Sequence, residues 1–477
     1  MRLFVAKFSM RTPPICLFIF ISAQALSQKA VVGSSPIQEL IFRTKGDSIA
    51  NAKLDGIFRQ FISNRASSPT SMEKADSLMK LRRELLNKSI GFRYVYRPRY
   101  TLWDTLAPSD REEVTRLTLF NWRSEKLPDE VAKCKNLETL EIVNSTVGTI
   151  QEEISALPKL RTIELYNNKP SHRLRFKKNT NLTTILIRAE GPGRLPRTYK
   201  RLKMLKRLDL SRTKLKTFPR IYKNQELKEL ILTENSLGAM QLRKFKTQKS
   251  IEFLDIRGNK IKTVPDGIEN LPNLKTLWFN FNQISYVSPR ISRLLLLEDL
   301  SFYSNSIMSI PSGVYKLKSL RKLDLYYNNI EKLDSSAVQW KNLSILGLDN
   351  NVITSLPANI GEMRSLTKIY LNNNRLSMLP EGIGKLTQLK ALQVNRNYLT
   401  EFPEQIVKLT NLEDLDLSNN HIPSLPGELF DFRRFEILCL YGNPWNEDTK
   451  EKLPAWVEKL RSEKTFVLIE APAETGN

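Results

Sequence analysis

The side chains of this 477-residue chain that could do chemistry are better suited to holding a ligand than to converting one. Aromatic rings and carboxylates recur together at Phe253, Asp255, Trp278, Phe281, Asp299, Tyr303, Asp324, Tyr326, Tyr327, Asp349 and Tyr370. Rings carry most of the energy at protein interfaces, and tyrosine adds a hydroxyl to each ring it buries. With carboxylates between them, they suit a protein or peptide carrying basic residues, and sugars could stack on them as well. A bland alternative is that the aromatics simply favour strand surfaces. A second set of residues is basic. From Lys159 to Lys223 there are 20 Lys or Arg against three acids, Glu164, Glu190 and Asp209, a net of +17 within an overall +24. Arg173, Arg175, Lys177, Lys178, Arg194, Arg197, Lys200, Arg201 and Lys203 are its candidate contacts with an anionic polysaccharide or membrane headgroups. A solubilising surface is the competing reading.

Catalytic constellations are missing from the sequence. It has no Walker loop, no G-x-S-x-G and no H-E-x-x-H. The two histidines, His172 and His421, fall in turns far apart in the chain. Cys16, Cys134 and Cys439 make neither a disulfide framework nor a Cys-ligated zinc site. An enzyme would need a site built from Asp, Tyr and Lys alone. The expectation is therefore a non-enzyme, with no catalytic residue, metal or cofactor.

The elements that must position these side chains repeat. Leu343 to Pro357 reads L-x-x-L-x-L-x-x-N-x-I-x-x-L-P, and Leu366 to Pro380 reads the same way. The asparagine slot can be followed through 15 units, from Trp122 to Asn443, at intervals of 22 to 24 residues, and 11 of the 15 hold Asn. L-x-x-L-x-L sends alternate side chains to one face of a short strand. The asparagine then falls at a turn, where its amide can both donate and accept. The proline after the next leucine suits an irregular return segment. One such coil cannot bury its own core, but a stack can. Stacking would bring the aromatic and acidic residues into one outward stripe. Cys134 takes a core slot, and Cys439, between Leu438 and Leu440, is expected as an exposed thiol on the strand face.

This pattern resembles the leucine-rich-repeat superfamily, in its 23-residue form, as found in Ras-pathway scaffolds, plant Ras-group-related proteins and many bacterial proteins. The resemblance implies an α/β repeat solenoid, a curved arc with a parallel sheet on its concave face. It also implies binding on that face. Trp122, Ser145, Glu190 and Thr213 depart from the asparagine slot, so the array should be less regular from about 112 to 240.

Residues 1–27 read as a signal peptide. Arg2, Lys7 and Arg11 precede the apolar run from Ile15 to Ala23, and small residues follow it. An exported protein is expected, whether periplasmic, cell-surface or extracellular, and export disfavours nucleic acid as a partner. Residues 28–111 read as a mostly helical N-terminal cap, with helices at about 49–62 and 71–87, or as a small independent domain. The array follows at 112–446. Residues 447–477 read as a cap helix and tail opening after Asn443-Pro444-Trp445.

Overall fold

The computed structural model describes residues 39–41, 93–95, 100–168, 175–176, 181–188, 202–219, 224–238, 240, 247–463 and 465–470. The expected signal segment and both expected N-terminal helices lie outside these. The chain forms two compact units, one of residues 1–65 and 72–99, the other of 66–71 and 100–477. In the first, the described residues are an antiparallel pair, Glu39–Ile41 with Arg93–Val95.

The second unit is a curved solenoid. Among the described residues its main sheet has 17 strands, parallel and in chain order. Each strand pairs only with its neighbours in the ladder, so the sheet has two edges, Thr101–Leu102 and Phe466–Leu468. Strands in the first coils reach five residues, as in Thr139–Val143 and Thr162–Tyr166; later ones keep three, as in Phe253–Asp255. Leu254, Leu277, Leu300, Leu323, Leu346, Ile369 and Leu392 register side by side. They point into one continuous apolar core running from Val114 to Val467. Phe279 and Phe302 take the third leucine slot of their coils and stack at 5.3 Å.

The asparagine slot closes each coil onto the one before it. Asn328 Oδ1 accepts from the Ile307 N–H at 3.0 Å, and its Nδ2 donates to the carbonyls of Phe302 and Leu325, both at 3.0 Å. Asn351, Asn374, Asn397 and Asn420 repeat the arrangement. These amides satisfy turn groups that would otherwise be buried without partners. Most of the described return segments are short 3-10 turns, and Glu152–Ser155 and Ser312–Tyr315 are single α-helical turns. Pro357, Pro380 and Pro403 sit at the N-caps of Ala358–Glu362, Glu381–Lys385 and Glu404–Lys408.

The ladder extends beyond the repeat at both ends. Thr101–Leu102 joins it ahead of residue 112. After the helix Glu447–Ser462 the chain returns and adds Phe466–Leu468 beside Ile437–Cys439. That strand accounts for Cys439, which is buried at 4% exposure rather than an exposed thiol, because Leu468 registers against it. Cys134 lies in the core as expected.

Candidate binding surface

Outward positions of successive strands form straight rows. Phe253, Thr276, Asp299, Lys322, Ile345 and Lys368 make the first, and Asp255, Trp278, Ser301, Asp324, Gly347 and Tyr370 the second. Beyond the strands, Arg257, Asn280, Tyr303, Tyr326, Asp349 and Asn372 continue the same face.

The structure brings the aromatic candidates into contact. Phe253 meets Trp278 edge-on at 5.0 Å. Phe281 and Tyr327 each meet Tyr303 edge-on, at 4.9 and 5.4 Å. Tyr326 lies 6.1 Å from Tyr303 and 6.3 Å from Tyr370. Their exposure is uneven, and this corrects the picture of a uniformly exposed stripe. Phe281 and Tyr327 are 57% and 40% exposed, while Tyr326 and Tyr370 are each only 8% exposed. Phe253, Trp278 and Tyr303 are half-buried. Tyr326 lies down because its neighbour is Gly347. A Cβ there would come within 2.8 Å of the Tyr326 ring.

The carboxylates are also more buried than their outward positions imply. Asp255, Asp324 and Asp349 are buried, and Asp299 is half-buried. Burial raises the pKa of all four. Asp349 is pushed up to about 7 by burial, against the hydrogen bonds of Tyr326 and Asn372. It accepts from the Asn372 N–H at 2.8 Å and from Asn372 Nδ2 at 3.1 Å. Asp255 is clamped by the Arg257 guanidinium, whose Nη2 lies 2.7 Å away. That guanidinium also stands over the Trp278 ring, 4.7 Å from its centroid. Trp278 Nε1 donates to Asp299 at 3.1 Å.

A feature missed by reading residue types is the backbone before each asparagine slot. Phe281 and Tyr327 have φ of +57° and +51°. Other coils place Asn121, Asn144, Gly258, Asn350, Asn373 and Gly442 there, residues that tolerate this left-handed region. Bulky rings at such positions carry strain. The recurrence of Asn and Gly one residue before the slot was the available signal.

The basic candidates are mostly beyond description. Arg173, Lys177, Lys178, Arg194, Arg197, Lys200 and Arg201 lie outside the described residues. Arg175 stands in the two-residue strand Arg175–Phe176, which pairs with Thr149–Ile150, and Lys203 is exposed. Three arginines of the same segment are paired with acids, Arg188 with Asp209 and Arg207 with Glu229 on the strands, and Arg212 with Glu234 at the turns that follow them. A separate hollow of about 300 Å³ is lined by Asn121, Arg123, Asn144, Ser145 and Asn167, away from the aromatic rows.

Among the described residues no three His, Cys, Asp or Glu side chains converge as a metal site, and no helix is long and apolar enough to cross a membrane.

Comparison with known proteins gives matches along the array. A leucine-rich repeat region family matches residues 282–395, and a leucine rich repeat family matches 225–284 and 387–444. The leucine-rich-repeat protein LIC12759 of Leptospira interrogans is similar, at 28% identity and a TM-score of 0.62, over 77% of this chain and 99% of that one. The PEPR1–AtPEP1 structure is similar at 25% identity and a TM-score of 0.51, over 71% of this chain and 47% of that one. The flightless-1 homolog of Caenorhabditis elegans is 29% identical over 210 residues, which is 37% of this chain. The match spans only 17% of that relative's length.

Proposed function

We propose, from the premise that the chain belongs to the leucine-rich-repeat superfamily, that it is an exported, non-catalytic module that recognises a protein or peptide on its concave face. One observation carries this reading: Phe281, Tyr303 and Tyr327 interlock on the rigid sheet face, and two of these rings stay exposed on strained backbone. Water-facing rings clustered on a pre-organised surface have the composition of a binding hot spot. Because the face is already assembled, binding need not pay to order it. The solved PEPR1–AtPEP1 structure supports the reading as a similar fold in a complex.

The test replaces the two exposed rings with residues that other coils carry at the same position, Phe281→Ser (as Ser304) and Tyr327→Asn (as Asn350). The full chain should select peptides from a displayed random library, and the double variant should lose them while keeping the parent's circular dichroism and melting behaviour. Lost ring packing and relieved backbone strain each amount to about 1 kcal/mol and act in opposite directions, so the variant should stay folded. Equal capture by a folded variant would refute the reading.

A further inference from the structure

Two acidic positions on the outward rows are already answered by arginines of this chain. Asp209 holds Arg188, with Nε and Nη2 at 3.0 and 2.5 Å from one carboxylate oxygen. Asp255 holds Arg257, and that guanidinium also lies on the Trp278 ring. The second case shows what this surface does with a cation: it sets the guanidinium between a carboxylate and the face of a ring. Both attractions are strongest where water is scarce.

The next coils supply the same ingredients without the cation. Asp299 and Asp324 form no ion pair among the described residues. Asp299 accepts from Trp278, and Asp324 accepts from Ser301 Oγ at 2.9 Å and from the Tyr326 N–H at 3.2 Å. Lys322, the strand neighbour of Asp299, acts on both carboxylates through its charge without forming an ion pair with either among the described residues. Beside them the rings gather around Tyr303, with Phe281, Tyr326 and Tyr327 on its sides. Where the earlier coil has Arg257, these coils have Asn280, Tyr303 and Tyr326 at the same height.

We propose that Tyr303, Phe281 and Tyr327, with Asp299 and Asp324, form a subsite for one guanidinium or ammonium side chain of the bound partner. The claim rests on the concave-face reading above and narrows it to a class of contact. The incoming cation takes, at the Tyr303 coil, the place that Arg257 fills two coils earlier. It meets the rings by their faces and the half-buried carboxylate of Asp299 directly, with the charge of the buried Asp324 behind it. The chain's net charge of +24 does not oppose this locally, because residues 251–444 carry 21 Lys or Arg against 20 Asp or Glu.

The probe is a labelled Gly–Ser peptide bearing arginine, compared with its citrulline counterpart, which keeps the shape and loses the charge. Fluorescence anisotropy with the full chain should show the arginine peptide binding at least about ten-fold more tightly. Asp299→Asn should reduce that preference several-fold, and Asp299→Asn/Asp324→Asn should bring the ratio close to one. Asparagine keeps the shape and an acceptor oxygen, and the half-buried Asp299 variant guards against a folding defect in the double. A ratio near one in the parent, or one unchanged in both variants, overturns the proposal. The two readings can fail separately. Arginine preference in a parent whose displayed-library ligands survive Phe281→Ser/Tyr327→Asn removes the wider reading alone. Loss of those ligands in that variant, with arginine and citrulline bound alike by the parent, removes the subsite alone.

Discussion

Asp349 shows how one carboxyl can be costly to keep on a sheet face. Its folded pKa is about 7, against an ordinary value near 3.9 in the unfolded chain. A group raised in this way contributes its full stability below about pH 4, and that contribution is lost as pH rises through 7. Asp349→Asn cannot ionise, so its urea midpoint should gain on that of the parent between pH 5 and pH 8. Parallel midpoints would show that the carboxyl is not buried as described. Asp414, pushed up to about 6 by burial, shifts in the same direction and is common to both proteins. Which rings and acids neighbour one another was legible from the repeat length alone. How deeply they sit was not. Tyr326 is covered because Gly347 leaves room beside it, and Cys439 because a strand from beyond the repeat lies against it. Both facts depend on the adjacent coil at that height, which residue type and spacing do not report.

At the scale of elements, the leucines fixed the strands, the asparagines the turns, and the prolines the start of each return segment. The sequence did not show how closely neighbouring returns pack. A Cβ on Gly361 would lie 2.4 Å from the Gly382 carbonyl oxygen in the next coil. Backbone cannot move aside as a flexible side chain can. Gly361→Ala should therefore cost about 1–3 kcal/mol, read as a fall in the urea midpoint. An unchanged midpoint would mean that the 3-10 turns sit further apart. The left-handed residues before each asparagine belong to this scale as well. Their backbone suits the Asn and Gly that most coils place there, and Phe281 and Tyr327 occupy it against that preference. Arg212, Glu234, Ser304 and Arg396 occupy it against that preference as well, so what marks the pad is that Phe281 and Tyr327 place rings there.

The solenoid unit orders its surfaces along one axis. Stacking turns sequence position into height, so the nearly neutral coils that carry the rings stand apart from the described strands Thr162–Tyr166 and Thr184–Arg188 of the earlier coils. Each coil pairs with its neighbours in the ladder, and the exposed Phe281 and Tyr327 are what the face offers most openly to an extended ligand. The account's central claim is that this face is where a partner binds. Other exposed residues lie elsewhere and serve as internal controls: Tyr286, Met308, Met378 and Tyr398. The most direct test is hydroxyl-radical footprinting of the full chain with and without a peptide selected by display. The account predicts protection of Trp278, Phe281, Tyr303 and Tyr327, with the four control residues labelled as before. Protection of Tyr286, Met308, Met378 or Tyr398, with the concave rings left open to label, would contradict it.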